Sequence, residues 1–227
     1  MSLLYCKNVT KIYNETLILD NVSFEIDNNE FVSLVGKSGV GKTTLLKLII
    51  GEEKPTKGRI IFSGKDVIKM NCMGLTMLRR KIGVVFQEFK LLSHKTAFEN
   101  VAFVLESIGL SDEEIQEEVP EVLNLVGLKD KANNFPYQLS AGEKQRVAIA
   151  RAIIQKPDLL LADEPTGNLD PINKWDIVRL LIKINELGTT VVFATHEKEI
   201  VNTLGRRVIT LENGCIVRDE QNGKYIL

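Results

Sequence analysis

The sequence predicts an α/β fold built on a mostly parallel sheet, and three observations carry that prediction. First, Gly36-Lys37-Ser38-Gly39-Val40-Gly41-Lys42-Thr43 stands between an apolar run, Phe31–Val35, and a helix-forming run that starts at Thr44. Second, strand-like and helix-like segments alternate after residue 158, as βαβ units do. Third, the apolar stretch Leu159-Leu160-Leu161-Ala162 ends in Asp163-Glu164, which puts carboxylates at the C-terminal end of a buried strand.

The elements follow in order. Leu4–Val9, Leu19–Ile26, Phe31–Val35 and Gly58–Phe62 have the apolar, β-rich character of strands. Between about 89 and 156 the period changes. Ala97, Val101, Val104, Leu105 and Ile108 recur at helical spacing within Thr96–Ile108. Ser111-Asp112-Glu113-Glu114 has the N-cap serine and acidic first turn of another helix start. Strand Asp158–Ala162, helix Pro171–Leu187 and strand Thr189–Ala194 come next. Val208–Leu211 and Cys215–Arg218 flank Glu212-Asn213-Gly214, whose Asn-Gly pair suits a hairpin turn. The expectation is one domain over 1–227, with a helical insertion at about 89–156.

Composition narrows the class. The chain has 227 residues, 44% hydrophobic and 26% charged, with a formal net charge of −1. That balance suits a globular protein and gives no bulk electrostatic attraction for nucleic acid, so no nucleic-acid partner is expected. No apolar run approaches the roughly 18 residues a membrane span requires, and Met1–Tyr5 has no basic leader character. A membrane role would therefore come through a partner. The three cysteines, Cys6, Cys72 and Cys215, are too scattered for a zinc site or disulfide framework, and a reducing compartment is expected.

The chemistry begins at Gly36–Thr43, which matches G-x-x-x-x-G-K-[ST]. Glycines let the backbone wrap so that several N–H groups converge on phosphate, and the helix N-terminus adds partial positive charge. Lys42 can reach the β- and γ-phosphates, and the Thr43 hydroxyl can meet Mg²⁺. Asp163 is placed to hold the same ion, and Glu164 to polarise an attacking water. His196 ends the strand Val191–Thr195, where it could bridge the γ-phosphate and Glu164; a helix-capping or exposed histidine is the plainer alternative. His94, in a polar loop, is taken as structural. Finally, Leu139-Ser140-Ala141-Gly142-Glu143 puts small residues before the helical run Lys144–Ala152, a second anion-binding helix start in one chain.

With these residues in hand, the chain resembles the ATP-binding-cassette ATPases over essentially its full length. The resemblance implies a P-loop core, an N-terminal antiparallel β subdomain and an inserted α-helical subdomain that carries the signature. It implies Tyr13 against the adenine, Gly36–Thr44 (Gly36, Lys37, Ser38, Gly39, Val40, Gly41, Lys42, Thr43, Thr44) around the phosphates, and Gln87 as the Q-loop glutamine on Mg²⁺ and in catalysis. Ser140, Gly142 and Glu143 of the signature would meet ATP held by a second copy, giving a homodimer that closes on ATP. Asn168-Leu169-Asp170 resembles the D-loop. Ala141 departs from the usual first signature glycine and Glu143 from the common glutamine, which suggests weaker closure rather than lost activity.

Val84–Leu92 and Lys95–Phe103 are similar to the bacterial cell-division branch of the family. That branch implies an FtsX-like integral membrane partner, a place at the cytoplasmic face of the plasma membrane, and control of peptidoglycan hydrolysis with the division machinery. Asp163–Asp170 is shared with lipoprotein-release and macrolide-export ATPases, the alternative. A soluble cassette acting on DNA or ribosomes fits less well, because there is no coiled-coil insertion and one cassette only. By the same resemblance, a cytoplasmic helix of the partner would dock near Gln87, against Phe89, Leu91, Leu92 and Phe98, although Leu91 and Phe98 could equally pack the insertion's own core.

Overall fold

The computed structural model describes residues 2–226, so Met1 and Leu227, the ends of the expected single domain, lie outside it. Strands β1 (Leu4–Tyr13), β2 (Thr16–Ile26), β4 (Lys57–Phe62) and the two-residue β5 (Lys65–Asp66) form an antiparallel sheet in the order β2-β1-β4-β5. A six-stranded sheet runs β10-β9-β3-β8-β7-β6, with β3 Phe31–Val35, β6 Ile82–Val85, β7 Leu159–Asp163, β8 Thr190–Thr195, β9 Arg207–Glu212 and β10 Cys215–Glu220. Its pairs are parallel except for the β9–β10 hairpin. Asn213 and Gly214 both have positive φ, 47° and 78°, so the Asn-Gly turn twists with its strands.

Parallel strands are covered on both faces, and here alternate residues divide between two cores. Leu160, Ala162, Val191 and Phe193 join the cluster shared with the helical segment, whereas Leu159, Leu161, Val192 and Ala194 face the antiparallel sheet. Helix α1 (Lys42–Ile49) fills the second core with Leu45, Leu46, Leu48 and Ile49. The helical segment contains α3 (Ala97–Glu106), α4 (Asp112–Leu125) and α5 (Ala141–Ile153). Thr96 with Glu99, and Ser111 with Glu114, close reciprocal capping boxes on α3 and α4. Helices α6 (Pro171–Glu186) and α7 (Lys198–Leu204) complete the chain. Cys6 is fully buried, and its thiol titrates far above the usual range because burial disfavours the thiolate.

Two elements have weak sequence signals. Helix α2 (Cys72–Arg80) buries Leu78, packs a partly buried Leu75 on the same core and exposes Met73 and Met77, so its apolar face is narrow and interrupted by exposed methionines. Asn71 caps it, accepting from the Gly74 N–H at 2.8 Å. Strand β6 has four residues, and one is Gly83. A Cβ there would come within 2.4 Å of the Ala152 carbonyl oxygen on α5, so close helix–sheet contact overrides the poor β propensity of glycine.

Candidate functional site

The chain wraps tightly between β3 and α1. At Gly36 a Cβ would lie 2.4 Å from the Leu211 carbonyl oxygen, and Gly41 takes φ 109° with Leu19 and Ile18 pressed against it. Gly41 is also the N-cap of α1. No side chain caps this helix and no acid stands in its first turn, so its N–H groups remain available to an anion. Ser38, Gly39, Gly41, Lys42, Thr43, Thr44, Gln87, Glu164 and His196 together line a recess of about 280 Å³ at this end of the sheet.

Lys42 is buried at the base of this recess. Its ammonium donates to the carbonyl oxygens of Gly36 at 2.8 Å and Lys37 at 3.2 Å, and lies 3.2 Å from Glu164 Oε1. The other carboxylate oxygen, Oε2, is 2.6 Å from His196 Nδ1. Glu164 reaches both partners because its backbone turns into the left-handed region, φ 49°, while its N–H donates to the Ala194 carbonyl at 2.9 Å. The turn sends adjacent carboxylates in different directions. Asp163 stays within β7, where burial raises its pKa, opposed by hydrogen bonding from Thr43.

Mg²⁺ fits these donors. Asp163 Oδ1 is buried with no hydrogen-bond partner, an acceptor left open beside the Thr43 hydroxyl, and Gln87 lines the same recess. Among the described residues no group of three or more His, Cys, Asp or Glu forms a cage. That agrees with Mg²⁺, which takes one or two carboxylates and completes its octahedron with water and substrate phosphates.

Tyr13 lies at the end of β1, outside the residues lining this recess. Its hydroxyl donates to Glu53, Lys11 Nζ sits 4.6 Å from its ring centre, and burial with the Glu53 charge pushes its pKa up to about 12. Ser140, Gly142 and Glu143 also stand apart from the phosphate loop of their own chain. Ser140 N-caps α5, its Oγ accepting from the Glu143 N–H at 3.2 Å, while Glu143 Oε2 accepts from the Ser140 N–H at 2.8 Å. Gly142 packs against α6, where a Cβ would meet Asn173 Oδ1 at 2.5 Å. Ala141, the first residue of α5, is exposed and has no positive φ, so its methyl group causes no backbone strain. His94 is exposed in its loop.

Leu91 and Phe98 pack against the core shared by helices and sheet. Phe89 borders a recess with Lys90, Pro136, Lys144 and Asn168, to which Leu91 also contributes. A separate groove of about 320 Å³ runs over Val84, Phe86, Val104 and Ala152, rimmed by Arg79, Arg80 and Arg151. Sequence reading missed this groove because its floor is the short strand β6 and its rim the short helix α2.

Parallel sheet, open helix terminus and paired carboxylates define a phosphate-loop ATPase. The profile of the ABC transporter family matches residues 19–167, and the chain belongs to that family. It is 55% identical to the cell division ATP-binding protein FtsE of Bacillus subtilis over 220 residues, 96% of each chain. It is 49% identical to FtsE of Streptococcus pneumoniae serotype 2 over 226 residues, 99% of this chain and 98% of that one. Among solved structures, a dimeric post-hydrolysis state of the cassette MJ0796 with ADP and Pi superposes with a TM-score of 0.87 at 39% identity, over 98% of this chain and all of that one.

Proposed function

We propose that the chain is the ATP-binding and hydrolysing subunit of an FtsE-like membrane complex, in which ATP-dependent closure of a homodimer acts on an FtsX-like partner during cell division and the control of peptidoglycan hydrolysis. Identity carries this reading: 55% to FtsE over nearly the full length, against 39% to the MJ0796 cassette. No described helix is long and apolar enough to cross a membrane; in this reading the membrane component is a separate integral membrane chain, and the present chain sits at the cytoplasmic face.

In this reading the α1 amides and Lys42 bind and orient the triphosphate, with Tyr13 beneath the adenine. Lys42 leaves Glu164 as phosphate arrives, exchanging one anionic partner for another. Thr43, Asp163 and Gln87 would hold Mg²⁺, whose charge offsets that of the phosphates. Glu164 then accepts the proton of the attacking water, and His196 holds the carboxylate and donates toward the γ-phosphate. Ser140 and Gly142 of the second copy cover the phosphate from the other side, with Glu143 securing that turn.

Glu164→Gln is expected to keep ATP binding, lower turnover by at least about 10²-fold and accumulate an ATP-bound dimer, whereas Lys42→Ala weakens nucleotide binding itself. Near-normal phosphate release by purified Glu164→Gln protein would remove Glu164 from the mechanism. The membrane reading is tested by capture of an FtsX-like protein in detergent. Wild-type chain should retain it, and Phe86→Ala and Phe89→Ala, made separately, should reveal which recess receives it. Failure of the wild type to capture such a protein would sink this reading.

A further inference from the structure

His196 is half exposed, with 52% of its side chain accessible, yet its Nδ1 lies 2.6 Å from Glu164. The ring's own contacts do not account for so defined a placement; the residue after it does. The Glu197 N–H donates to Thr195 Oγ1 at 3.1 Å, Oε1 accepts from the Thr166 hydroxyl at 2.6 Å, and Oε2 pairs with Lys174 Nζ at 2.7 Å. Thr166 is fully buried, and the Glu197 and Lys174 side chains are only 16% and 27% exposed. A largely desolvated, hydrogen-bonded pair is screened far less than a surface pair, and breaking one side leaves the other charge poorly solvated. All three contacts are made by Glu197, one through the N–H of the peptide that joins it to His196 and two through its side chain.

We propose that Glu197 and Lys174 are positioning residues for hydrolysis: they clamp the His196 backbone to the first turn of α6 and to the segment after Glu164, so that the imidazole is held on the Glu164 carboxylate. The proposal rests on the catalytic reading of Glu164 and His196. Thr166 lies two residues after Glu164, and Lys174 lies on the helix capped by Asp170, which accepts from the Ile172 and Asn173 N–H groups. The clamp therefore joins the segments after β7 and β8, which carry the two halves of the hydrolytic pair. Neither Glu197 nor Lys174 lines the phosphate-loop recess, so their effect on nucleotide binding is small.

Trp175, the single tryptophan of the chain, follows Lys174 and is partly buried against the core, so its emission reports this turn without a label. The experiment compares wild type with Lys174→Met, Glu197→Gln and the exchanged pair Lys174→Glu/Glu197→Lys. Steady-state hydrolysis and the change in Trp175 emission on adding Mg-ATP are measured on the full chain. Lys174→Met is expected to lower kcat by roughly tenfold to a hundredfold through misplacement of the imidazole, with KM for ATP within about threefold, and to blunt the Trp175 response. Glu197→Gln keeps the side chain's shape, so it separates loss of charge from loss of fold and should show a smaller fall of the same kind. The exchanged pair should recover part of kcat. Unchanged kcat with a full Trp175 response in a folded Lys174→Met variant overturns the proposal, as does an equal rise in KM without a fall in kcat. If the wild-type chain hydrolyses no ATP, the catalytic reading fails separately; an undiminished Trp175 response in Lys174→Met would then still overturn the clamp.

Discussion

Helices α1 and α5 both begin where the family resemblance places phosphate, yet their N-termini are built in opposite ways. The α1 end is open: Gly41 supplies no capping side chain and the first turn has no acid. The α5 end is closed by its own residues, with Ser140 and Glu143 satisfying each other's N–H groups and Lys131 3.7 Å from the Glu143 carboxylate. An open terminus is a binding site in a single chain, because its donors await an acceptor. A closed terminus already holds a carboxylate. It suits a cover that must wait for a second molecule, binding weakly by itself and contributing only when the two copies meet. In the proposed reading, nucleotide affinity is set at α1 and dimer affinity is tuned at α5.

The largest expected effect comes from making α1 resemble α5. Thr44 occupies the third helical position, as Glu143 does in α5, so Thr44→Glu puts a carboxylate among the amides that receive phosphate. Like charges brought together at a binding site cost several kcal/mol. ATP affinity should fall by about 10²-fold or more, measured by equilibrium dialysis. A change under about threefold would mean that the α1 end is not where affinity is set.

Glu143→Gln sharpens the comparison from the other side. The amide keeps an acceptor for the Ser140 N–H but removes the negative charge, and ATP-dependent dimerisation in a Glu164→Gln background should tighten by a few-fold, measured by sedimentation. A matching pH effect follows. The hydrogen bond from the Ser140 N–H holds the Glu143 carboxyl below the usual range. Its stabilisation is therefore present above the unfolded value of about 4.3 and lost as pH falls through the folded value. The melting-temperature advantage of wild type over Glu143→Gln should shrink below about pH 4.

The smallest effect is expected for Ala141→Gly. Ala141 is exposed, at the first helical position and unstrained, so glycine relieves nothing in the backbone. A stability loss of up to about 1 kcal/mol should appear in thermal denaturation, with dimer affinity nearly unchanged. Tenfold tighter dimerisation would show instead that the alanine methyl group obstructs closure.

The parallel α/β core, the phosphate loop, the capped start of α4 and the hairpin were all legible along the chain. Each is a local pattern: Gly and Lys at fixed offsets, Ser111 three residues before Glu114, Asn213 before Gly214. Strand β6 and helix α2 were not legible, because Gly83 answers to Ala152 across the helix–sheet contact and the nine-residue α2 sets only Leu75 and Leu78 on the core. The direction of Glu164 follows from packing between strands. Its left-handed φ depends on β7 lying beside β8, where Ala194 accepts the Glu164 N–H. The same packing brings Lys42, Glu164 and His196 together from three distant segments and sets Lys174 against Glu197. Those pairings carry no local periodicity, since each partner's position is fixed by the sheet order and not by its neighbours in the chain.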